Sequence, residues 1–220
     1  MANEIRLTKI DATNIGEHSH LLLSDECYFL FEYTSHKNYT FSKTNSLISN
    51  LKKKPSTAHT PAYKYKRQAI RECGDALRAT TNPDWLSAAT LVPVPCSKAA
   101  DHPDFDDRIV QICRLLSPIG DVRSIIRQTA SMTAAHEAGS GERITIEELL
   151  AAYRVDETLA VPAPKSIGIV DDVLTSGTHF RAMSTVLANR FPGVPIVGLF
   201  IARRVFPEEE RLSPFGPIEF

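Results

Sequence analysis

The 220-residue sequence predicts an α/β fold: a central parallel sheet flanked by helices, with a small N-terminal cap. Three observations carry this prediction. The runs "AATLVPVP", Ile167–Val170 and "VPIVGLFIA" are apolar throughout rather than alternating, as strands buried on both faces are. They alternate with amphipathic helical segments, the pattern of a sheet whose crossovers are helices. A hydrophobic content of 43% and a charged content of 23% suit one substantial core.

Taken in order, "HLLLSDECYFLFEY" reads as two strands around a Ser-Asp-Glu turn, a β-hairpin within a cap spanning residues 1–60. "SLISNLKKK" is a short helix, and "PSTAHTPAYK" is a loop with two prolines. The α/β core spans residues 61–220. Its first helix is Tyr65 to Ala79, with Ala69, Ile70, Cys73, Ala76 and Leu77 on one stripe. The buried strand "AATLVPVP" follows, then a helix over Asp106 to Leu116 and the short strand "VRSIIR". Arg127 to Arg143 is a long loop of small polar residues. "TIEELLAAY" is a helix with Thr145 as its cap and Glu148 three residues on, a capping box. The strand Ile167–Val170, a helix from Thr178 and the strand "VPIVGLFIA" complete the set.

Net charge is −1, which gives no general case for nucleic-acid or membrane binding. The distribution is uneven, however. Thr34 to Arg71 holds nine cations and no acid, so the rest of the chain carries −10. This segment, 34–71, is a solvated basic face or a contact for a nucleic acid or protein partner. The four cysteines, Cys27, Cys73, Cys96 and Cys113, form no C-x-x-C pair and suit a reducing cytoplasm. The N-terminal residues are too polar for a signal peptide, and no apolar run approaches the ~20 residues that span a bilayer. A cytoplasmic protein without a membrane segment is expected, and an oligomer is compatible with it.

The chemistry concentrates in "KSIGIVDDVLTSGTHFRAM". Thr175, Ser176, Gly177 and Thr178 lie between a buried strand and a helix N-terminus, where unpaired amides and the helix dipole favour a phosphate. No lysine follows the glycine, so this is not a Gly-x-x-x-x-Gly-Lys loop. Asp171 and Asp172 just before it are acceptors. They suit the vicinal hydroxyls of a sugar phosphate, or Mg²⁺ held directly or through water.

"IGIVDDVLTSGT" resembles the phosphoribosyl pyrophosphate (PRPP) motif of the type I phosphoribosyltransferases. "LVPVPCSKAADHPDFDDRIVQICRLL" resembles the Pro-Val-Pro segment of the ComF-like competence phosphoribosyltransferases, the nearest group. The resemblance implies the type I phosphoribosyltransferase fold. It also implies a Mg²⁺-dependent glycosyltransferase that moves the phosphoribosyl group of PRPP to an unidentified acceptor and releases pyrophosphate. It gives Asp171 and Asp172 the ribose hydroxyls, Thr175 to Thr178 the 5′-phosphate, and Pro95, Cys96, Ser97 and Lys98 the pyrophosphate. A lid would carry Arg127, His136 and Arg143. A PRPP-binding regulatory or accessory module without turnover, in a nucleic-acid-linked process, is the alternative. The family's N-terminal zinc cysteines are missing, and "HPDFDDRI" replaces its Arg-Gly-Phe-Asn stretch. Thr175 stands where the hypoxanthine-guanine enzymes carry a purine-reading carboxylate, so a 6-oxopurine acceptor is disfavoured.

Overall fold

The structure, a computed structural model, describes residues 5–117, 120–128 and 144–211. Eight strands are described: β1 (Thr8–Lys9), β2 (Glu26–Thr34), β3 (Thr90–Pro93), β4 (Asp121–Val122), β5 (Ile126–Gln128), β6 (Tyr153–Val155), β7 (Ile167–Leu174) and β8 (Ile196–Val205). The helices are α1 (Lys43–Leu51), α2 (Lys64–Thr80), α3 (Pro83–Ala88), α4 (Arg108–Leu116), α5 (Ile146–Ala152), α6 (Thr178–Arg190) and α7 (Glu208–Arg211). Six strands form one mixed sheet in the order β1-β2-β8-β7-β3-β4, parallel except for β1 against β2. β5 and β6 make a separate antiparallel pair. The chain is therefore an α/β protein with a mostly parallel sheet. No helix among the described residues is long and apolar enough to cross a membrane.

Both faces of the sheet are covered. Val170, Leu91, Leu199 and Ile201 pack with α1, α2 and α4 through Leu51, Cys73, Leu77, Ile112 and Leu116. Ile167, Ile169, Val92 and Phe200 pack with α6, α5 and β6 through Phe180, Met183, Leu149 and Tyr153. Successive residues of a strand alternate between these faces. Asp171, in register with Phe200, therefore falls on the α6 side, whereas Asp172 falls on the α4 side.

Three expectations are corrected. The first arm of the predicted hairpin is a turn: the Asp25 carboxylate accepts the Leu22 N–H at 2.7 Å, and the Asp25 N–H donates to the Leu22 carbonyl at 2.9 Å. The second arm, β2, lies inside the main sheet beside β8, so residues 1–60 contribute to the same sheet and core as those that follow. "VRSIIR" is split between β4 and β5, because Arg123 turns back to pair with Asp121 and the carbonyls of Leu159 and Pro162. The strand at Ile167 continues past Val170 to Leu174 and takes both aspartates into the sheet. The capping box at Thr145 and Glu148 forms as expected.

α1 is placed by one buried amide. Asn45 is 1% exposed. Its Nδ2 donates to the carbonyls of Thr34 and Lys37 at 2.8 and 3.2 Å, and its Oδ1 accepts the Thr34 N–H at 3.1 Å. Asn45→Ala would strand these backbone groups and cost about 1–3 kcal/mol. Urea unfolding is expected to show the lower midpoint with the slope unchanged.

Candidate functional site

The carboxyl end of a parallel sheet is where α/β folds bind ligands, and three strand ends meet there. β3 ends beside β7: Pro93 is in register with Val170, and the Val94 N–H donates to the Val170 carbonyl at 2.9 Å. The Pro95 to Lys98 loop thus leaves the sheet next to Asp171 and Asp172.

The adjacent aspartates have unlike environments. Asp172 is 4% exposed. Its Oδ2 accepts Nε and Nη2 of Arg108 at 3.0 and 2.6 Å, and its Oδ1 meets Nζ of Lys52 at 3.1 Å. Burial opposes its charge, but the Lys52 and Arg108 cations overcome that and hold its carboxyl far below the usual range. Arg108 also donates to Asp106 at 2.8 Å, and Asp106 accepts from Lys66 at 2.6 Å. Lys66 is 3% exposed, and it donates as well to the carbonyls of Leu51 and Lys53 at 2.7 and 2.9 Å. The result is one chain of charges through the protein: Lys66, Asp106, Arg108, Asp172, Lys52.

Among the described residues Asp171 makes no ion pair, although the Lys52 and Arg108 charges also act on it. Its Oδ1 accepts the Asp172 N–H at 2.7 Å. Burial, and then the neighbouring Asp172 charge, push its carboxyl up to about 7. Tyr153 and His179 lie on its side of the sheet, with the Tyr153 hydroxyl 2.8 Å from His179 Nδ1. Burial, and secondarily the Asp171 charge, raise the Tyr153 phenol. Burial lowers His179, against the pull of Asp172.

The Thr175–Thr178 loop is shaped by Gly177. Its φ of +90° is left-handed, and an added Cβ would lie 2.9 Å from Leu21 Cδ2. The Ser176 and Thr178 hydroxyls are 2.8 Å apart. Thr178 opens α6, whose first amides have no intrahelical partner. The N-terminal segment grips the other side of the loop. The His18 ring donates from Nδ1 to the Thr175 carbonyl, and the His20 N–H donates to the Ser176 carbonyl at 2.9 Å. Arg181 of α6 holds the His20 carbonyl at 3.0 Å and the Asp25 carboxylate. His18 is fully buried, and burial pushes its ring down to about 4, so it is neutral.

A cavity of about 320 Å³ lies beside these features. Pro95, Cys96, Lys98 and Arg127 line it; the two aspartates and the Thr175–Thr178 loop do not. Cys96 folds its loop by accepting the Lys98 and Asp106 N–H groups at 3.4 and 3.3 Å. The Ser97 carbonyl accepts from Gln128 at 3.2 Å. Arg127 pairs with Asp156. His136 and Arg143 lie outside the described residues. Arg203 pairs with Glu32 and Glu17, and Arg204 donates to the Glu17 carbonyl.

Sequence reasoning missed Lys52, Lys66, Asp106, Arg108, Tyr153, His179 and His18. One signal was present: Lys66 continues the apolar stripe of α2 through Ala69, Ile70 and Cys73, and a lysine on such a stripe requires a buried acceptor. Of the nine cations of segment 34–71, Lys66 is buried against Asp106, Lys52 reaches Asp172 from the surface, Lys37 and Lys53 are half-buried, and Lys43, Lys54, Lys64, Arg67 and Arg71 are exposed.

The two aspartates predict mutations of opposite sign. Asp171 keeps its proton in the folded state up to about 7, whereas an unfolded carboxyl ionises near about 4. Folding therefore loses stability as pH rises through that window, and Asp171→Asn removes the loss. The variant should gain in melting temperature relative to wild type from about pH 5 to about pH 8. Asp172→Asn removes the carboxylate facing Arg108 and Lys52 and should cost about 3–5 kcal/mol at neutral pH. Compared with protein-family models and with curated proteins, the chain matches none.

Proposed function

We propose that this chain is a phosphoribosyltransferase-like protein of the cytoplasm. It binds PRPP and transfers the phosphoribosyl group to an acceptor with release of pyrophosphate. One observation carries the reading: adjacent parallel strand ends bring together a carboxylate pair, a left-handed glycine loop at a helix N-terminus, and a cavity lined by Lys98 and Arg127. These suit, in turn, a diol, a terminal phosphate and a pyrophosphate. The cavity is of the size that small-molecule sites have, roughly 300–1,000 Å³.

The reaction asks little covalent chemistry of the protein. The bond from C1 to the pyrophosphate oxygen breaks, the pyrophosphate keeps the electron pair, and the acceptor's lone pair forms the new bond at C1. Positive charge develops on the sugar as the leaving group departs, so positioning and electrostatics dominate. The Thr175–Thr178 loop holds the 5′ end, Asp171 faces the sugar hydroxyls, and Lys98 with Arg127 offsets the leaving charge. A resident Mg²⁺ does not fit the two aspartates, since both oxygens of Asp172 carry ion pairs and the side chains take opposite faces of β7. The reading therefore includes no step through a protein-held metal.

A second reading, PRPP binding without turnover, is favoured by the commitment of Asp172 to Lys52 and Arg108. Calorimetric titration with PRPP, paired with a pyrophosphate-release assay over a panel of nitrogen acceptors, separates the two. At about pH 8, where Asp171 is ionised, wild type is expected to bind, and Asp171→Asn to bind about 10–100-fold more weakly, the worth of charge-assisted hydrogen bonds. Release with any acceptor establishes the transferase; binding with no release supports the module; no PRPP binding by wild type ends both readings.

A further inference from the structure

The diol end of the site has its own cation. Along the buried chain, Lys66, Asp106, Arg108 and Asp172 sum to zero charge, so Lys52 is a surplus of one. Its side chain is 47% exposed, whereas that of Asp172 is 6% exposed, so the ammonium covers the carboxylate on its solvent side. Lys52 is the C-cap residue of α1, whose start is fixed to the end of β2 by Asn45. An ammonium has three donors, and one directed at Asp172 leaves two for a ligand.

A carboxylate-held divalent cation has little room in this arrangement. Mg²⁺ needs oxygen donors in near-octahedral geometry. Oδ2 of Asp172 is taken twice by Arg108 and Oδ1 by Lys52, and Asp171 uses Oδ1 for the Asp172 N–H. Among the described residues, no group of three or more His, Cys, Asp and Glu converges on any point.

We propose that Lys52 is a ligand-facing residue of the candidate site, whose ammonium takes the charge-neutralising place of a carboxylate-held metal, so that a sugar polyphosphate binds without Mg²⁺. The inference rests on the PRPP reading above. It makes the C-terminal end of α1, and with it part of the acid-free segment 34–71, a wall of the small-molecule site. Arg108 alone satisfies one oxygen of Asp172 with two donors, which frees Lys52 to bridge the other oxygen and an incoming hydroxyl or phosphoryl oxygen.

Titration calorimetry with PRPP, in buffer with Mg²⁺ and in buffer with EDTA, tests it on wild type, Lys52→Met, Lys52→Arg and the exposed control Lys54→Met. Circular dichroism checks that each variant is folded. Wild type and Lys54→Met should bind in EDTA within about tenfold of their affinity in Mg²⁺. Lys52→Met should lose about tenfold or more in EDTA and recover when Mg²⁺ is added, while Lys52→Arg keeps its metal-free binding. A Mn²⁺ titration read by electron paramagnetic resonance should show tighter uptake of the metal alone by Lys52→Met than by wild type. Wild-type binding that disappears in EDTA overturns this proposal and leaves the PRPP reading standing. An equal loss for Lys52→Met in both buffers, or no loss, overturns it as well. Absence of wild-type binding in either buffer overturns both.

Discussion

A carboxylate that is 4% exposed stays ionised only if cations come to it, and at Asp172 two do. Arg108 arrives from the first turn of α4 and Lys52 from the end of α1. Each is held in turn: Arg108 by Asp106, and Asp106 by Lys66, which also draws on the carbonyls that close α1. The layer of α1, α2 and α4 is thus tied to the centre of the sheet by charge as well as by apolar packing. Ion pairs of this kind are weak evidence for stability, since desolvation consumes most of the Coulombic gain. Their effect here is positional. They set which face of β7 is closed by cations and which keeps an ionisable group poised.

The same alternation accounts for two like charges side by side. Within a strand, neighbours point to opposite faces, and the faces of this sheet differ. Asp172 meets a guanidinium and an ammonium on one face, and Asp171 takes the face on which the Tyr153 hydroxyl bonds His179. The pair is therefore one charged acceptor and one group near its titration point rather than two equivalent carboxylates.

What the sequence disclosed followed the range of its signals. Strands such as Ile167–Val170 and helices such as Tyr65 to Ala79 are written in local periodicity, and the capping box at Thr145 in a four-residue spacing, so all were legible. The aspartate pair and the glycine loop were legible for the same reason. The place of β2 was not, because it is fixed by pairing with a strand some 170 residues later, and the preceding Leu22 and Leu23 are exposed leucines that mimic a strand. The partners of Asp172 were hidden because Lys52 and Arg108 come from elements 120 and 64 positions away, and nothing in "KKK" says which lysine reaches a carboxylate. Lys66 was the exception, a cation placed on an apolar stripe.

The grip of the N-terminal segment on the Thr175–Thr178 loop bears on how the protein is made. His18 reaches Thr175 across 157 positions, and β2 joins β8 at the far end of the chain. Contacts of such long separation carry a high loop-closure entropy and form late. During synthesis the Thr175–Thr178 loop exists as sequence well before it exists as geometry. Until β8 has emerged and taken β2 beside it, the segment that shapes Gly177 has no fixed place to stand. The shape of the loop is consequently a property of the assembled sheet, and a nascent chain does not have it before β8 is in register.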